Sequence, residues 1–429
     1  MEAMDIARVH GRRVWDSRGR PTVEVEVTLE CGAAGRAIAP AGASTGSGEA
    51  VDLRDGGVAF GGLDVRRAVA NVNEIIAPAL AGRDALDQEA IDRLLVELDG
   101  TPNKARLGGN ALIASSMAVL HAAAVSRRLP LWRHLAGDTK ISIPVPEIQI
   151  FGGGAHAARR VDVQDFMVVC PSAGSFAEAL DRTAEVYRAA GKLLAERGLI
   201  MGVADEGGYW PAFSSNEEAL DMLMRAIERA GFTPGEEVAI SLDVAASEFG
   251  ANGRYDLALE SRELDSDALI ALLGRWIERY PIVSIEDPLA EDDAEGFRRF
   301  TAAFGDRIQV IGDDFLVTSA ERVREAAARR ACNAVLIKPN QAGTVTETKT
   351  ALDAGKTAGF GTIVSARSGE TEDLTIAHLA VGWNAGQFKV GSFTRSERMA
   401  KWNEMLRIEE ALGDKARLAR PFARRRPLV

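Results

Sequence analysis

Four short apolar runs, each stopping at a charged residue, limit what this chain can fold into more than anything else in it. They are Val238-Ala-Ile-Ser-Leu-Asp243, Ile282-Val-Ser-Ile-Glu286-Asp287-Pro288, Ile308-Gln-Val-Ile-Gly-Asp313-Asp314 and Ala334-Val335-Leu336-Ile337-Lys338-Pro339. Runs of β-favouring residues without polar alternation read as strands buried on both faces, the condition of a parallel sheet. From Asp243 to Glu286, Asp313 and Lys338 the steps are 43, 27 and 25 residues, near the roughly 30 per strand-helix unit of an eightfold barrel of about 250 residues. Barrel folds assemble their sites at the C-terminal ends of the strands. The spacing therefore predicts three acids and a lysine around one mouth. Hard carboxylate oxygens from separate strands suit Mg²⁺, which leaves positions open for substrate and water. Lys338, between apolar walls and near other cations, is a candidate base whose pKa those surroundings would lower.

Upstream the pattern changes. Residues 22–29 alternate Val23, Val25, Val27 and Leu29 with Thr22, Glu24, Glu26 and Thr28, the period of a half-buried antiparallel strand. Residues 39–48 are almost all small and predict a mobile lid too flexible to pack. Helical patterns at 65–80, 87–98 and 108–128 complete an α+β module. Prolines 144 and 146 break the helical pattern and place the boundary between residues 1–138 and 139–429. Beyond it, helical patterns at 175–197, 216–230, 266–280, 320–330, 344–358 and 370–382 separate the apolar runs. The expected class is α/β, a modified TIM-type (β/α)8 barrel preceded by a smaller α+β domain.

Composition narrows the function. Lys and Arg total 51 against 62 Asp and Glu, a net charge of −11, which argues against nucleic acid as the main partner. Cys31, Cys170 and Cys332 are far apart and suggest neither a disulfide framework nor a zinc site, so a reducing cytoplasm is expected. The first residues carry no apolar signal-like run, and the most apolar helix, near 110–125, is interrupted by Ser115, Ser116 and His121. It reads as a buried helix, with no membrane partner. The arginine-rich stretch 417–429 reads as a solvated extension.

Further constellations fall at segment ends. A glycine run, Gly152-Gly-Gly-Ala-His156, delivers a histidine, and Gln164-Asp165-Phe166 an acid nine residues later. Asp205-Glu206-Gly207-Gly208 sets two acids on a tight turn, with Glu206 a candidate general acid. Ser365-Ala366-Arg367-Ser368 ends one apolar run with an arginine between hydroxyls, suited to a phosphoryl group, and Phe388-Lys389 ends another with a point charge suited to a carboxylate.

These residues resemble the enolase family from about Val9 to about Leu412. The resemblance rests on Asp16-Ser-Arg-Gly19, Gly42-Ala-Ser-Thr-Gly46, Asp99-Gly-Thr101, Asp205-Glu-Gly-Gly208, Ser284-Ile-Glu-Asp-Pro288, Gly312-Asp-Asp314, Leu336-Ile-Lys338, Asn340-Gln341 and Arg367-Ser-Gly-Glu-Thr-Glu-Asp373. Position by position it implies that Asp243, Glu286 and Asp313 hold a first Mg²⁺ and that Ser44 on the lid is a ligand of a second. It implies that Lys338 removes the proton beside the substrate carboxylate and that Glu206 assists loss of the β-hydroxyl; His156 and Asp165, either of which could act as a donor or acid, complete the candidate catalytic set. Arg367 and Ser368 would hold the phosphoryl group and Lys389 the carboxylate. A lysine base with divalent cations is the known chemistry of that superfamily, not something the spacing shows. The resemblance also implies a small phosphorylated or phosphonylated carboxylic acid as substrate and a homodimer or higher homo-oligomer.

Several positions depart from the family pattern. Where enolases carry Ser-His-Arg-Ser, Ala366 replaces the imidazole; Gln-Glu-Phe-Met becomes Gln164-Asp165-Phe166-Met167; Pro-Ser-Gly-Ala-Ser becomes Pro40-Ala41-Gly42-Ala43-Ser44; and Gly152 stands for an asparagine. Acids and base are kept while the substrate-facing residues change. In this the chain resembles the carboxyphosphonoenolpyruvate synthases of phosphinothricin-type biosynthesis, and the expected reaction is Mg-dependent loss of water from a carboxyphosphono analogue of 2-phosphoglycerate. The alternatives are a divergent phosphopyruvate hydratase acting on 2-phosphoglycerate and a catalytically silent binding protein. A silent scaffold has no physical need for Glu206 and Lys338 together.

Overall fold

The computed structural model describes residues 4–200 and 202–422. The chain begins with an antiparallel sheet of β1 (Ile6–Trp15), β2 (Pro21–Leu29) and β3 (Ala34–Ile38), in that order. The alternating stretch is β2, and Val23, Val25, Val27 and Leu29 are buried. Against β2 and β3 packs the helix Gly109–Ser126, whose 18 residues have a hydropathy high enough for a membrane span but are 83% buried inside the protein. It is apolar all round because both of its faces meet protein. The helix Gln88–Asp99 starts where the Asp87 carboxylate accepts the Ala90 N–H and stops at Gly100, whose φ of 68° only glycine adopts without cost.

The second part is a closed barrel. In chain order its strands are β4 (Val145–Gly152), β5 (Asp165–Val169) and β6 (Ala239–Asp243), then, after a side sheet of β7 (Gly250–Ala251), β8 (Arg254–Leu257) and β9 (Arg262–Asp265), β10 (Ile282–Glu286), β11 (Gln309–Gly312), β12 (Ala334–Ile337), β13 (Gly361–Ser365) and β14 (Gln387–Ser392). They close in the order β10-β11-β12-β13-β14-β4-β5-β6. The four apolar runs are β6, β10, β11 and β12. One strand departs from simple alternation, because β5 runs antiparallel to both β4 and β6. Antiparallel neighbours need no crossover helix, so the glycine-rich segment 153–164 joins β4 to β5 directly. Two helices, Phe176–Glu196 and Asn216–Arg229, then follow β5.

Other expectations need correction. The helix expected at 370–382 starts only at Thr375, because Glu370 turns back to accept the Arg367 N–H and the Asp373 carboxylate accepts those of Ile38 and Thr375. Helices Ala294–Phe304 and Ser396–Leu412 were not anticipated. The C-terminal stretch is not a free extension as far as Phe422. The Ile143 N–H donates to the Arg417 carbonyl and Leu418 and Phe422 are buried; residues 423–429 of that stretch, like Met1 to Ala3, lie outside the described residues.

The barrel interior is divided by chemistry. On the β11–β13 side Ile311, Ala334, Leu336 and Ile363 form a small apolar cluster of their own. On the other side a polar chain crosses the core. Gln309 Nε2 donates to Gln387 Oε1 at 2.7 Å, and Gln387 Nε2 donates to Glu147 Oε1 at 2.7 Å. Glu147 is fully buried with Oε2 unpartnered among the described residues, and burial pushes its carboxyl up to about 7 against the pull of Lys389.

Candidate active site

Strand register assembles the acids. Asp165 opens β5 directly opposite Asp243, the last residue of β6, and Asp243 lies opposite Glu286, the last of β10. Asp313 follows the end of β11, the next strand round. Lys338 follows β12, where Pro339 ends the strand and begins the turn Pro339–Ala342. Pro339 therefore fixes where the strand releases its lysine.

Two lysines meet these acids. Lys389, on β14, reaches across the mouth and places Nζ 2.8 Å from both Asp243 Oδ2 and Glu286 Oε2, and 3.6 Å from Asp165 Oδ2. Lys338 Nζ donates to Asp313 Oδ2. Its pKa was expected to fall, and the structure reverses that. Burial is the largest single influence and works to lower it, but the adjoining Asp313 carboxylate together with Glu286 outweighs it and holds the ammonium above its ordinary range. Lys389 is likewise raised against its burial by Asp243 and Glu286. Burial disfavours the charged form of Asp243, yet Lys389 holds that carboxyl below its usual range, whereas burial and the facing Asp243 push Glu286 well above.

A third group lies beside them. His156, Asp165 and Glu206 bring ligand atoms within 4.8 Å of one another, and His156 Nδ1 is 3.5 Å from Glu206 Oε1. Burial moves the Asp165 carboxyl up to about 6. The Glu206 turn is locked in place: the Ser392 N–H donates to the Glu206 carbonyl, the Gly208 N–H to Gln149 Oε1, and Tyr187 and Thr394 hydroxyls to the Gly207 carbonyl. Gly207 has φ +94° and Gly208 has no room for a Cβ, which explains the double glycine.

The lid lies packed against the barrel mouth in this structure. Ala41 and Gly369 exchange backbone hydrogen bonds, and Arg367 Nη2 donates to the Ser44 carbonyl at 2.8 Å. A Cβ on Gly42 would fall 2.0 Å from Arg367 Nη2, so the lack of side chains lets the loop backbone pack onto the arginine. Its exposed tip is held at Ser47, whose N–H and hydroxyl donate to Glu291. One cavity beneath the lid is lined by Ser44, His156, Asp165, Glu206, Asp243, Lys338, Ala366, Arg367, Ser368 and Lys389. Glu286 and Asp313 stand at its floor through their contacts with the two lysines. The candidate catalytic, substrate-binding and metal-binding residues named from sequence are thus in or against one site, whereas Ala41 and Gly152 do not line the cavity.

Residues 140–425 match the family model described as the enolase C-terminal TIM barrel domain, and residues 6–135 the enolase N-terminal domain. The chain belongs to the enolase family. Enolase 1 of Desulfitobacterium hafniense (strain Y51) is 50% identical to it over 420 residues, spanning 97% of this chain and 96% of that protein. The protein is accordingly a hydro-lyase of the enolase type, with a barrel domain and a smaller α+β domain.

Enolases depend on Mg²⁺, and the donor set here fits that ion. Asp243, Glu286 and Asp313 end three neighbouring strands and offer hard oxygens; Glu286 Oε1 is buried with no hydrogen-bond partner among the described residues, and the crowding that raises Glu286 is relieved by added positive charge. A second acid group, Asp287, Asp313 and Asp314, has ligand atoms within 4.8 Å, but both Asp287 oxygens already accept the N–H groups of Asp313 and Asp314.

Sequence reasoning missed several residues of this enolase site. Glu49 pairs with Arg367, Gln341 bonds Asp313 Oδ1 at 2.8 Å, and Arg18 reaches the Ala41 carbonyl and Asp16. Arg398, fully buried, donates to the carbonyls of Arg367 and Ser368. Gln341 and Arg18 lay within quoted motifs without an assigned role. Glu49 was legible only as the acid that ends the glycine-serine stretch.

Proposed function

We propose that this enolase removes water from 2-phosphoglycerate to give phosphoenolpyruvate. The observation that carries the reading is the convergence of Lys338 and Glu206 on one small polar cavity, the lysine from β12 and the acid from the β4–β5 side of the barrel. A base and an acid facing each other across a substrate suit removal of a proton and of a hydroxyl from adjacent carbons. Lys338 Nζ, once it has given up the proton it directs at Asp313, accepts the α-proton as the neutral amine, and Glu206 gives a proton to the departing β-hydroxyl. Lys389 pairs with the substrate carboxylate, while Arg367 and Ser368 orient the phosphoryl group. Asp243, Glu286 and Asp313 would hold one Mg²⁺ and Ser44 would contribute to a second. When bound, these ions neutralise substrate negative charge and so make the α-proton acidic enough for a lysine. The test is a direct assay of purified protein with 2-phosphoglycerate and Mg²⁺; formation of enolpyruvate product supports the reading, and its absence with folded, Mg-loaded protein refutes it.

A second reading is favoured by Ala366. Its methyl stands in the cavity beside Arg367, where an imidazole would fill more space and offer a donor. That room suits a carboxyl on phosphorus, so the carboxyphosphono analogue is the alternative substrate. The name of the relative supports 2-phosphoglycerate, and Ala366 alone supports the analogue.

The division near residue 138, a cytoplasmic location and a homodimer belong to the same proposal. An exposed apolar face on the smaller domain supports the dimer. Trp15 and Phe60, 48% and 46% exposed, pack edge to face at 5.2 Å beside Val58, with Arg13 over both rings. Sedimentation of the purified protein distinguishes dimer from monomer.

A further inference from the structure

We propose that Glu49 is a positioning residue for Arg367, and that through it closing the lid and aiming the guanidinium are one event. The inference rests on the reading of Arg367 as the phosphoryl-binding group. Glu49 follows the lid, and the pair is buried, with the Glu49 side chain 8% and the Arg367 side chain 2% exposed.

The hydrogen-bond count of the guanidinium is decisive. Nη1 donates to Glu49 Oε2 at 2.8 Å and to Asn340 Oδ1 at 3.1 Å, and Nη2 donates to the Ser44 carbonyl at 2.8 Å and to Glu49 Oε1 at 3.2 Å. All four terminal hydrogens are engaged, two of them by one carboxylate. A bidentate carboxylate fixes the plane of a guanidinium as well as its position. Among the described residues Nε–H has no acceptor, so that edge is the one left to meet an anion. Without Glu49 the guanidinium keeps one bond at each end and can rotate about the side chain, and its buried charge loses its nearest counter-ion.

Glu49 is itself held at several points. Its Oε1 accepts the Gly46 N–H at 3.0 Å inside the lid and Gln341 Nε2 at 3.3 Å. Gln341 also donates to Asp313 Oδ1 and accepts from the Thr318 hydroxyl at 2.6 Å. One carboxylate thus connects the lid backbone, the anion-binding arginine and an acid of the barrel floor. A Glu49 that merely competed with substrate for Arg367 would have to leave, breaking these bonds as well. A Glu49 that positions Arg367 stays, and substrate takes the free edge. The two roles predict opposite signs: loss of a competitor tightens anion binding, whereas loss of a positioner weakens it.

The experiment uses inorganic phosphate as the probe, titrated calorimetrically into full-length protein at fixed Mg²⁺, with steady-state kinetics on 2-phosphoglycerate alongside. Glu49→Gln is expected to weaken phosphate binding about tenfold or more and to raise KM by a similar factor with a much smaller change in kcat, the pattern of lost binding made equally in ground and transition states. Glu49→Asp, one methylene shorter but still charged, is expected to recover part of the loss. Unchanged or tighter phosphate binding in Glu49→Gln overturns the inference. Should that variant fail to fold, Glu49→Asp carries the test, and wild-type affinity there overturns it equally. Arg367→Lys separates the two levels. If it binds phosphate like wild type, the reading of Arg367 itself fails; if it loses binding and Glu49→Gln does not, only the role of Glu49 fails.

Discussion

The ammonium of Lys338 donates directly to the carboxylate of Asp313, joining the proposed base to a proposed metal ligand from the neighbouring strand. Lys338→Ala is expected to abolish exchange of the substrate α-proton with solvent, by at least about a hundredfold, the usual scale for losing a positioned base. Glu206→Gln is expected to keep that exchange while losing product formation. Proton exchange followed by NMR in deuterated buffer checks both, and equal loss of exchange and product in Glu206→Gln contradicts the division of roles.

Turnover is expected to vanish in excess chelator and return with Mg²⁺. If the ion binds only the folded protein, Mg²⁺ at about 100 times its Kd adds about 2.7 kcal/mol of stability. Asp313→Ala should lose most of this. A thermal-unfolding series with and without Mg²⁺ measures it, and a shift of wild-type size in the variant refutes the assignment.

Glu147 gives a pH dependence with a definite sign. Its carboxyl, ordinarily near 4.5, sits at about 7 in the fold because of burial, so the folded state holds a proton that the unfolded state releases. Stability from this group is fully present below pH 4.5 and declines as pH rises toward 7, by on the order of 3 kcal/mol at about 1.4 kcal/mol per pH unit. Glu147→Gln keeps a neutral amide in place of the neutral acid, and its stability relative to wild type should increase between pH 5 and pH 8. Parallel melting curves at the two pH values decide it; a constant difference between the proteins contradicts the account.

Ala366→His tests the substrate. The added imidazole restores a donor beside Arg367 and fills the room there, and a neutral hydrogen bond contributes about 0.5–1.5 kcal/mol. If the natural substrate is the carboxyphosphono analogue, the variant should shift the ratio of kcat/KM toward 2-phosphoglycerate by about three- to tenfold. An unchanged ratio removes Ala366 from the specificity argument and moves attention to Ala41, Gly152 and Asp165.

The sequence revealed the strands and the acids at their ends because a buried parallel strand must be apolar throughout, so its first charged residue marks the mouth. It did not reveal the reversal of β5, since Asp165 to Val169 reads equally well in either direction and only pairing sets polarity. The pKa of Lys338 was misjudged for a related reason. Burial can be inferred from Ala334 to Ile337, but the carboxylates that together override it, Asp313 and Glu286, come from other strands. Glu49 escaped notice because it acts on Arg367, 318 positions away, and Arg398 because its reach back to the Arg367 carbonyl, 31 positions upstream, depends on how the helix Ser396–Leu412 packs against the barrel.

The order of strands around the barrel also has a consequence for how the chain becomes active during synthesis. β4 and β5 are near neighbours in sequence and pair antiparallel, so they can associate early, while the seam between β4 and β14 joins segments from opposite ends of the domain and must wait for nearly all of it. Lys389 arrives with that last strand. Until then Asp243, Glu286 and Asp165 lack their shared cation, and the acidic half of the mouth remains an assembly of mutually repelling charges. Closing the seam therefore completes the fold and discharges the pocket in the same step, so a nascent chain halted before β14 has neither a barrel nor a site.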